Sequence, residues 1–282
     1  SSIMALQDLG LTMKQAFAAY EKYGAAAADI IDQNPYRLID DVYGIGFERA
    51  DKIACGIGIE KYSYFRTYYG IRYILNCAME QDGHTCYPKE RLITRSAQML
   101  GTDEDNVKEV YNKLVLDGTL CENLYNNYPA VAFSSAYNAE SYSAYRLIEL
   151  SRATPKTMPI ASVVRDVLEN AGLSEMQETA VNTALNENLC IITGGPGTGK
   201  TTILNELISI LERSGIKTVL AAPTGRAAKR MEKSTGRTAL TIHRLLEYGQ
   251  NPEEDDFSGC KFQRNKENPI EAEAVIIDES SM

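Results

Sequence analysis

At 282 residues the chain has room for two or three small domains, and its 44% hydrophobic content supports packed cores. A formal net charge of −9 excludes a globally basic nucleic-acid binder, so any nucleic-acid contact has to be focal. The six cysteines (Cys55, Cys77, Cys86, Cys121, Cys190 and Cys260) form no C-x-x-C pair, which reads as reduced thiols and argues against structural zinc. No apolar run is long enough to span a bilayer and the first residues do not resemble a signal peptide. A cytoplasmic protein is expected, with no membrane partner.

Residues 1–60 carry two similar short patterns. The clearer is Gly44-Ile-Gly46-Phe-Glu-Arg-Ala50, a glycine-hydrophobe-glycine turn opening a helix with a small residue for close packing. The weaker is Gly10-Leu-Thr-Met-Lys-Gln-Ala16. Both resemble helix-hairpin-helix units, whose turn N–H groups bind a DNA backbone without reading sequence, and Gly44 and Gly46 are the candidate contacts. The alternative is a small helical bundle with purely structural glycine turns. Between them, Asn34-Pro35-Tyr36 reads as a turn or a helix start.

Residues 61–136 read as a helical, winged-helix-like module. A helix over 62–81 places Ile71, Ile74, Leu75 and Ala78 in one stripe. Its aromatic start (Tyr62, Tyr64, Phe65, Tyr68, Tyr69, Tyr73) is read as core in preference to a base-stacking platform. Further helices are expected over 88–100 and 103–116, then a short apolar strand over 128–133, with His84 exposed in a turn. Residues 137–173 read as linking helices, broken at Thr154-Pro155 and Met158-Pro159.

Residues 174–282 hold the densest motifs. Ser174-Glu-Met-Gln177 is a capped helix start. An apolar run, Leu189–Ile192, reads as a buried strand entering Gly194-Gly-Pro-Gly-Thr-Gly-Lys-Thr201, a complete P-loop. A helix leaves it, with Ile203, Leu204, Leu207, Ile208 and Leu211 on one face. Such a loop wraps phosphates with backbone N–H groups; the candidate nucleotide-binding residues are Gly195, Pro196, Gly197, Thr198, Gly199, Lys200, Thr201 and Thr202, all but Pro196 carrying an N–H. Lys200 is expected on the β- and γ-phosphates and Thr201 on Mg²⁺. The run Ala274-Val-Ile-Ile-Asp278-Glu279 is a strand ending in two acids: Asp278 for the same Mg²⁺ and Glu279 for the attacking water. Lys200 and Glu279 are thus the candidate catalytic pair, and ATP with Mg²⁺ the expected ligands.

A strand over 217–222 leads into Pro223-Thr-Gly-Arg-Ala-Ala-Lys-Arg-Met231. From Ala221 to Leu246 there are six basic residues (Arg226, Lys229, Arg230, Lys233, Arg237, Arg244) against one acid, Glu232. That is the focal patch an acidic chain needs. Arg226, Arg230 and Lys233 share one helical face and are read as tracking phosphates; a merely solvated face is the alternative. Thr241-Ile-His243-Arg-Leu-Leu246 follows, and Glu247–Pro269 is a polar insert.

Taken together these residues resemble a superfamily 1 (1B) DNA helicase of the RecD/TraA-like group. The match lies in an ordered set: the P-loop, Ala-Pro-Thr-Gly-Arg-Ala-Ala, Thr-Ile-His-Arg-Leu-Leu, Asn268-Pro269 and Val-Ile-Ile-Asp-Glu-Ser-Ser-Met. The first 60 residues are similar to the tandem helix-hairpin-helix region of longer RecD-like proteins. The resemblance implies an α/β P-loop NTPase, its first RecA-like domain built on a parallel sheet, behind a mostly helical accessory region. It implies ATP-driven 5′→3′ movement on single-stranded DNA and unwinding of forked duplex. Carried over residue by residue, Gln177 would contact adenine, and Pro223, Thr224, Arg226, Thr241 and His243 would line the DNA path. In such helicases a strand-splitting hairpin lies just before the strand that ends in the two acids, which points to Glu247–Pro269 with Phe262 near its base.

The family's site closes between two RecA-like domains, and these residues supply only the first, so the domain is expected to be truncated and inactive as a helicase by itself. Three other readings compete. The chain could be the motor of a conjugative relaxase or of an exonuclease complex. It could be a DNA-binding ATPase that only switches conformation or translocates. A small-molecule kinase is disfavoured by the basic helix and the lack of a lid.

Overall fold

The computed structural model describes residues 2–154, 157–249 and 262–281, in two compact units, Ser1–Ala144 and Tyr145–Met282. In the first unit, α1 (Ser2–Asp8) leads through Gly10-Leu11-Thr12 into α2 (Met13–Tyr23). Thr12 caps α2 in a reciprocal box with Gln15. Then come α3 (Ala27–Gln33), a 3₁₀ turn over Pro35–Arg37 capped by Asn34, and α4 (Leu38–Asp41). The turn Gly44-Ile45-Gly46 opens α5 (Phe47–Gly56). The two turns are copies: a left-handed glycine (φ +92° at Gly10, +84° at Gly44), a buried aliphatic residue (Leu11, Ile45) and a helix cap. They also brace each other. Gln15 Nε2 donates to the Gly44 carbonyl at 3.3 Å, and Arg49, which stands at the matching position, donates to the Gly10 carbonyl at 2.9 Å. The pair is therefore pseudo-symmetric, each turn held by the helix of the other.

Tyr36 is fully buried in this core, stacked between Phe47 (5.9 Å) and Tyr69 (5.8 Å). Its hydroxyl donates to Asp51 at 2.5 Å, and Arg66 reaches the same carboxylate at 2.8 and 3.1 Å. Burial and the Asp51 hydrogen bond push the Tyr36 hydroxyl well above the usual tyrosine range. The polar groups of this core are thus satisfied as a set.

The unit continues with α6 (Tyr64–Glu80), β1 (Tyr87–Pro88), α7 (Lys89–Leu100), α8 (Glu104–Leu116), β2 (Leu120–Tyr125) and β3 (Tyr128–Phe133). The strands are antiparallel in the order β1-β3-β2. The order is thus a helix, a short strand, two helices and a β-hairpin. Asn126 and Asn127, both at positive φ (49° and 65°), form the two-residue turn that joins β2 to β3. Ile71, Leu75, Leu92, Val110, Leu114 and Val131 fill its core. At Gly70 a Cβ would stand 2.8 Å from Leu100, so glycine lets α6 and α7 approach. The aromatic start of α6 divides, in part against expectation: Tyr69 is buried and Tyr68 and Tyr73 pack on the core, whereas Tyr62, Tyr64 and Phe65 are exposed. Those three precede or occupy the first turn, before the helix turns its apolar face inward.

The division between the units falls within α9 (Ser134–Arg152). The second unit adds α10 (Ala161–Asn170), α11 (Glu175–Asn186), α12 (Lys200–Arg213), β4 (Thr218–Ala222), α13 (Gly225–Thr235), β5 (Ala239–Thr241), α14 (Ile242–Leu245) and β6 (Ala274–Ile277). Its sheet is parallel, in the order β5-β4-β6. α12 is apolar on two sides. Ile203, Leu207 and Leu211 pack with Val167, Val181 and Leu185 of α10 and α11, while Ile208 packs with Leu220, Met231 and Ala239. One expected strand is not formed. Residues 189–192 make no ladder, and Ile191 is 79% exposed. Ile192 packs in the cluster that holds Ala274 and Ile276, so the run lies against the core, but among the described residues β6 pairs only with β4. No helix of the described residues is long and apolar enough to cross a membrane.

Candidate nucleotide and nucleic-acid site

Parallel strands present their functional groups where the chain leaves their carboxyl ends. Pro223 and Thr224 follow β4, Thr241 ends β5, and Asp278 and Glu279 follow β6, so three motifs distant in sequence share one edge of the sheet. Asp278 N–H still donates to the Ala221 carbonyl, 3.0 Å, which fixes where the acids begin. Glu279 then turns to φ +54°, a left-handed conformation that a non-glycine residue holds only when its surroundings require it.

The P-loop is exposed and internally tied. Lys200 Nζ donates to the carbonyls of Gly194 (2.5 Å) and Gly195 (2.7 Å), and Thr198 Oγ1 donates to Gly195, 2.9 Å. Gly199 caps α12 at φ +82°, and a Cβ there would collide with the Gln177 amide. Lys200 and Thr201 are the first two residues of α12, so their N–H groups point out of its amino end. Gln177 braces the loop. Its Oε1 accepts from Ser174 N–H at 2.9 Å, closing the capping box of α11, and its Nε2 donates to the Thr198 carbonyl at 3.2 Å.

On the candidate nucleic-acid side, two of the residues named for the DNA path have a structural duty that the sequence reading missed. Thr224 Oγ1 accepts from Ala227 N–H and caps α13; Thr241 Oγ1 accepts from Arg244 N–H and caps α14, both at 3.2 Å. A threonine preceding a helical pattern is the signal that could have found them. Arg226 and His243 are exposed, and the imidazole lies in an aromatic cluster with Tyr248 (5.4 Å) and Phe262 (6.1 Å). Tyr248 and Phe262 bridge the base of the insert. Arg264 locks that base, donating to Glu247 at 2.8 and 3.0 Å and to Asn268 and the Pro269 carbonyl at 3.2 Å. The rest of the insert expected over Glu247–Pro269, residues 250–261, lies outside the described residues, as does Met282.

The cations of the basic patch differ in their partners. Arg237 is taken up by Glu212 at 2.8 Å. Arg230 turns to the acids at the end of β6, paired with Glu279 and 3.7 Å from Asp278. Helical spacing gives the face of Arg230 but not that a neighbouring strand ends beside it. Arg226, Lys229 and Lys233 are exposed and form no ion pair among the described residues. In the first unit Gly44 and Gly46 are exposed, as the hairpin reading requires. The second residue of the following helix is exposed Glu48, unfavourable to a phosphate, whereas the second residue of the helix after Gly10 is exposed Lys14.

Comparison with known proteins follows the same division. Residues 1–86 match the family model for the ATP-dependent RecD2 DNA helicase HHH domain, and residues 177–282 match that for an AAA domain, a class whose P-loop binds nucleotide. The ATP-dependent RecD2 DNA helicase of Deinococcus radiodurans is 32% identical over 99% of this chain and 39% of its own length. The RecBCD enzyme subunit RecD of Haemophilus influenzae is 27% identical over 71% of this chain and 38% of its own. That of Mycolicibacterium smegmatis is 34% identical over 41% and 24%. The chain spans about two fifths of the length of the RecD2 relative. Because the tandem hairpins and the P-loop core match separately, and one relative aligns through both, the chain belongs to the RecD-like helicase family, on the branch with an amino-terminal helix-hairpin-helix region.

Proposed function

We propose that the whole protein is an ATP-dependent DNA helicase that moves 5′→3′ on single-stranded DNA and opens forked duplex. The observation that carries this reading is the shared carboxyl edge of β5, β4 and β6, where the Thr241, Thr224 and Asp278-Glu279 motifs meet. In this reading Lys200 leaves the Gly194 and Gly195 carbonyls for the β- and γ-phosphates, which the N–H groups from Gly195 to Thr202 surround. Gln177, already fixed against the loop, contacts the adenine. Glu279 orients the attacking water.

Magnesium fits the donors present. Thr201 offers a hydroxyl and Asp278 a carboxylate, the sparse hard-oxygen set that Mg²⁺ takes alongside substrate phosphates, and the Arg230 guanidinium beside Asp278 marks a place that favours a cation. The ion would supply charge neutralisation on the phosphates. Pro223, Thr224, Arg226, Thr241 and His243 line the strand's path. The Tyr248–Phe262 base and its Arg264 clamp support a strand-splitting hairpin over Glu247–Pro269. The exposed turns at Gly44-Gly46 and Gly10-Thr12 contact duplex backbone.

The test compares unwinding of duplexes carrying a 5′ or a 3′ single-stranded tail by the whole protein, with Lys200→Ala as control. Unwinding from the 5′ tail alone, lost in the control, is expected. No unwinding from either tail, with DNA-stimulated ATPase intact, would replace the helicase reading with a translocase or switch.

A further inference from the structure

We infer that Arg230 is a positioning residue shared between the two sites: it restrains Glu279 until a DNA phosphate takes its guanidinium. The inference rests on the DNA-tracking reading above. Among the described residues Arg230 is the one cation paired with Asp278 and Glu279. It sits on α13, whose first turn carries Thr224 as cap and exposed Arg226, so a single helix touches the candidate DNA path at one end and the acids along its side.

The surroundings make the pair exchangeable. Arg226 and Lys233 flank Arg230 on its own face, exposed and without ion-pair partners among the described residues. A phosphate backbone drawn to those two passes over Arg230. The Arg230 side chain is 65% exposed, and a solvated ion pair of that kind contributes little, whereas a guanidinium meets a phosphate bidentately. Glu279 is held at φ +54°, so the carboxylate that Arg230 releases belongs to a residue whose backbone is already constrained at the strand end. Glu279 and DNA thus compete for one guanidinium. DNA binding frees the acid for the attacking water, and by linkage anything that removes the acid tightens DNA.

That reciprocity gives a test that needs no turnover. Affinity of this chain for a labelled oligothymidine is measured by fluorescence anisotropy for wild type, Glu279→Gln, Arg230→Gln and the double variant, with far-UV circular dichroism to verify the fold. In the wild-type background Glu279→Gln should tighten binding roughly fivefold. Arg230→Gln should weaken it and lower the salt slope by about 0.7, one phosphate contact on a single strand. In the Arg230→Gln background the gain from Glu279→Gln should fall below about twofold, the level of non-coupled sites. An equal gain in both backgrounds overturns the shared-arginine inference while leaving DNA binding standing. Absence of oligothymidine binding by the wild-type chain would withdraw the DNA-tracking reading and this inference with it.

Discussion

Thr224 has two duties that substitution can separate. Its hydroxyl accepts from Ala227 N–H, and it stands exposed where β4 leaves the sheet. Thr224→Ala should remove the cap and cost about 1 kcal/mol in urea unfolding. Thr224→Asp keeps a capping oxygen and sets a negative charge at a helix amino end, so stability should hold or rise. The same charge faces an approaching phosphate, and single-strand affinity should drop roughly tenfold. If the Asp variant binds DNA as wild type does, Thr224 is a cap and nothing more. At this scale local motifs could be read from the sequence, and what their side chains touch could not. The Thr224 cap went unread, whereas the loop around Lys200 and the strand end at Asp278 and Glu279 were legible as motifs because loop and strand-end patterns are local. The Gln177 brace on Thr198, the Arg49–Gly10 bond and the Arg230–Glu279 pair were not, because each joins segments that only the packing brings together.

The β2–β3 hairpin shows how elements lock to one another. Glu122 of β2 accepts from Lys89 of α7 at 2.8 Å and from the buried Tyr111 of α8 at 2.7 Å, so one carboxylate ties three elements. The Lys89 hydrogen bond, then that of Tyr111, holds the Glu122 carboxyl below the usual glutamate range. A glutamate whose folded pKa is depressed stabilises above its unfolded pKa, and the contribution is lost as pH falls through the folded value. Thermal unfolding of wild type and Glu122→Gln should therefore show wild type more stable at neutral pH. The gap should close in acid, below the ordinary glutamate range; a gap unchanged across that window would remove Glu122 from the account. Element identity was legible where periodicity is strong, as in α6, α7, α8 and α12, and α13 followed from its separate basic and apolar faces. β2 was missed because Leu120–Tyr125 has no apolar-polar alternation and is exposed along most of its length, and its ladder to β3 depends on the Asn126-Asn127 turn. The run 189–192 was read as a strand from composition alone. A parallel strand is defined by neighbours far away in sequence, and here the described residues provide packing for Ile192 but no ladder.

For the molecule as a whole, charge sets how DNA would be held in the proposed function. With −9 overall, long-range attraction cannot gather a polyanion, and binding must come from the few cations left unpaired. Arg237 is committed to Glu212 and Arg264 to Glu247. Arg226, Lys229, Lys233 and Arg244 have no ion-pair partner among the described residues, and Arg230 has an exchangeable one. Four or five such contacts on a single strand, each releasing roughly 0.7 counterion, give a slope of log affinity against log salt near −3. The slope should be the same for oligothymidine and for mixed sequence, since phosphates carry no sequence information. Arg226→Ala should weaken both by a similar factor and reduce the slope by about 0.7. A slope beyond about −6 would require a larger cationic surface than α13 and its neighbours supply, and would move the search to the exposed turn at Gly10-Thr12 and Lys14. A slope near zero would instead assign the binding to stacking on exposed aromatic rings, among which Tyr64 and Phe65 in the first unit have ring centroids 5.6 Å apart.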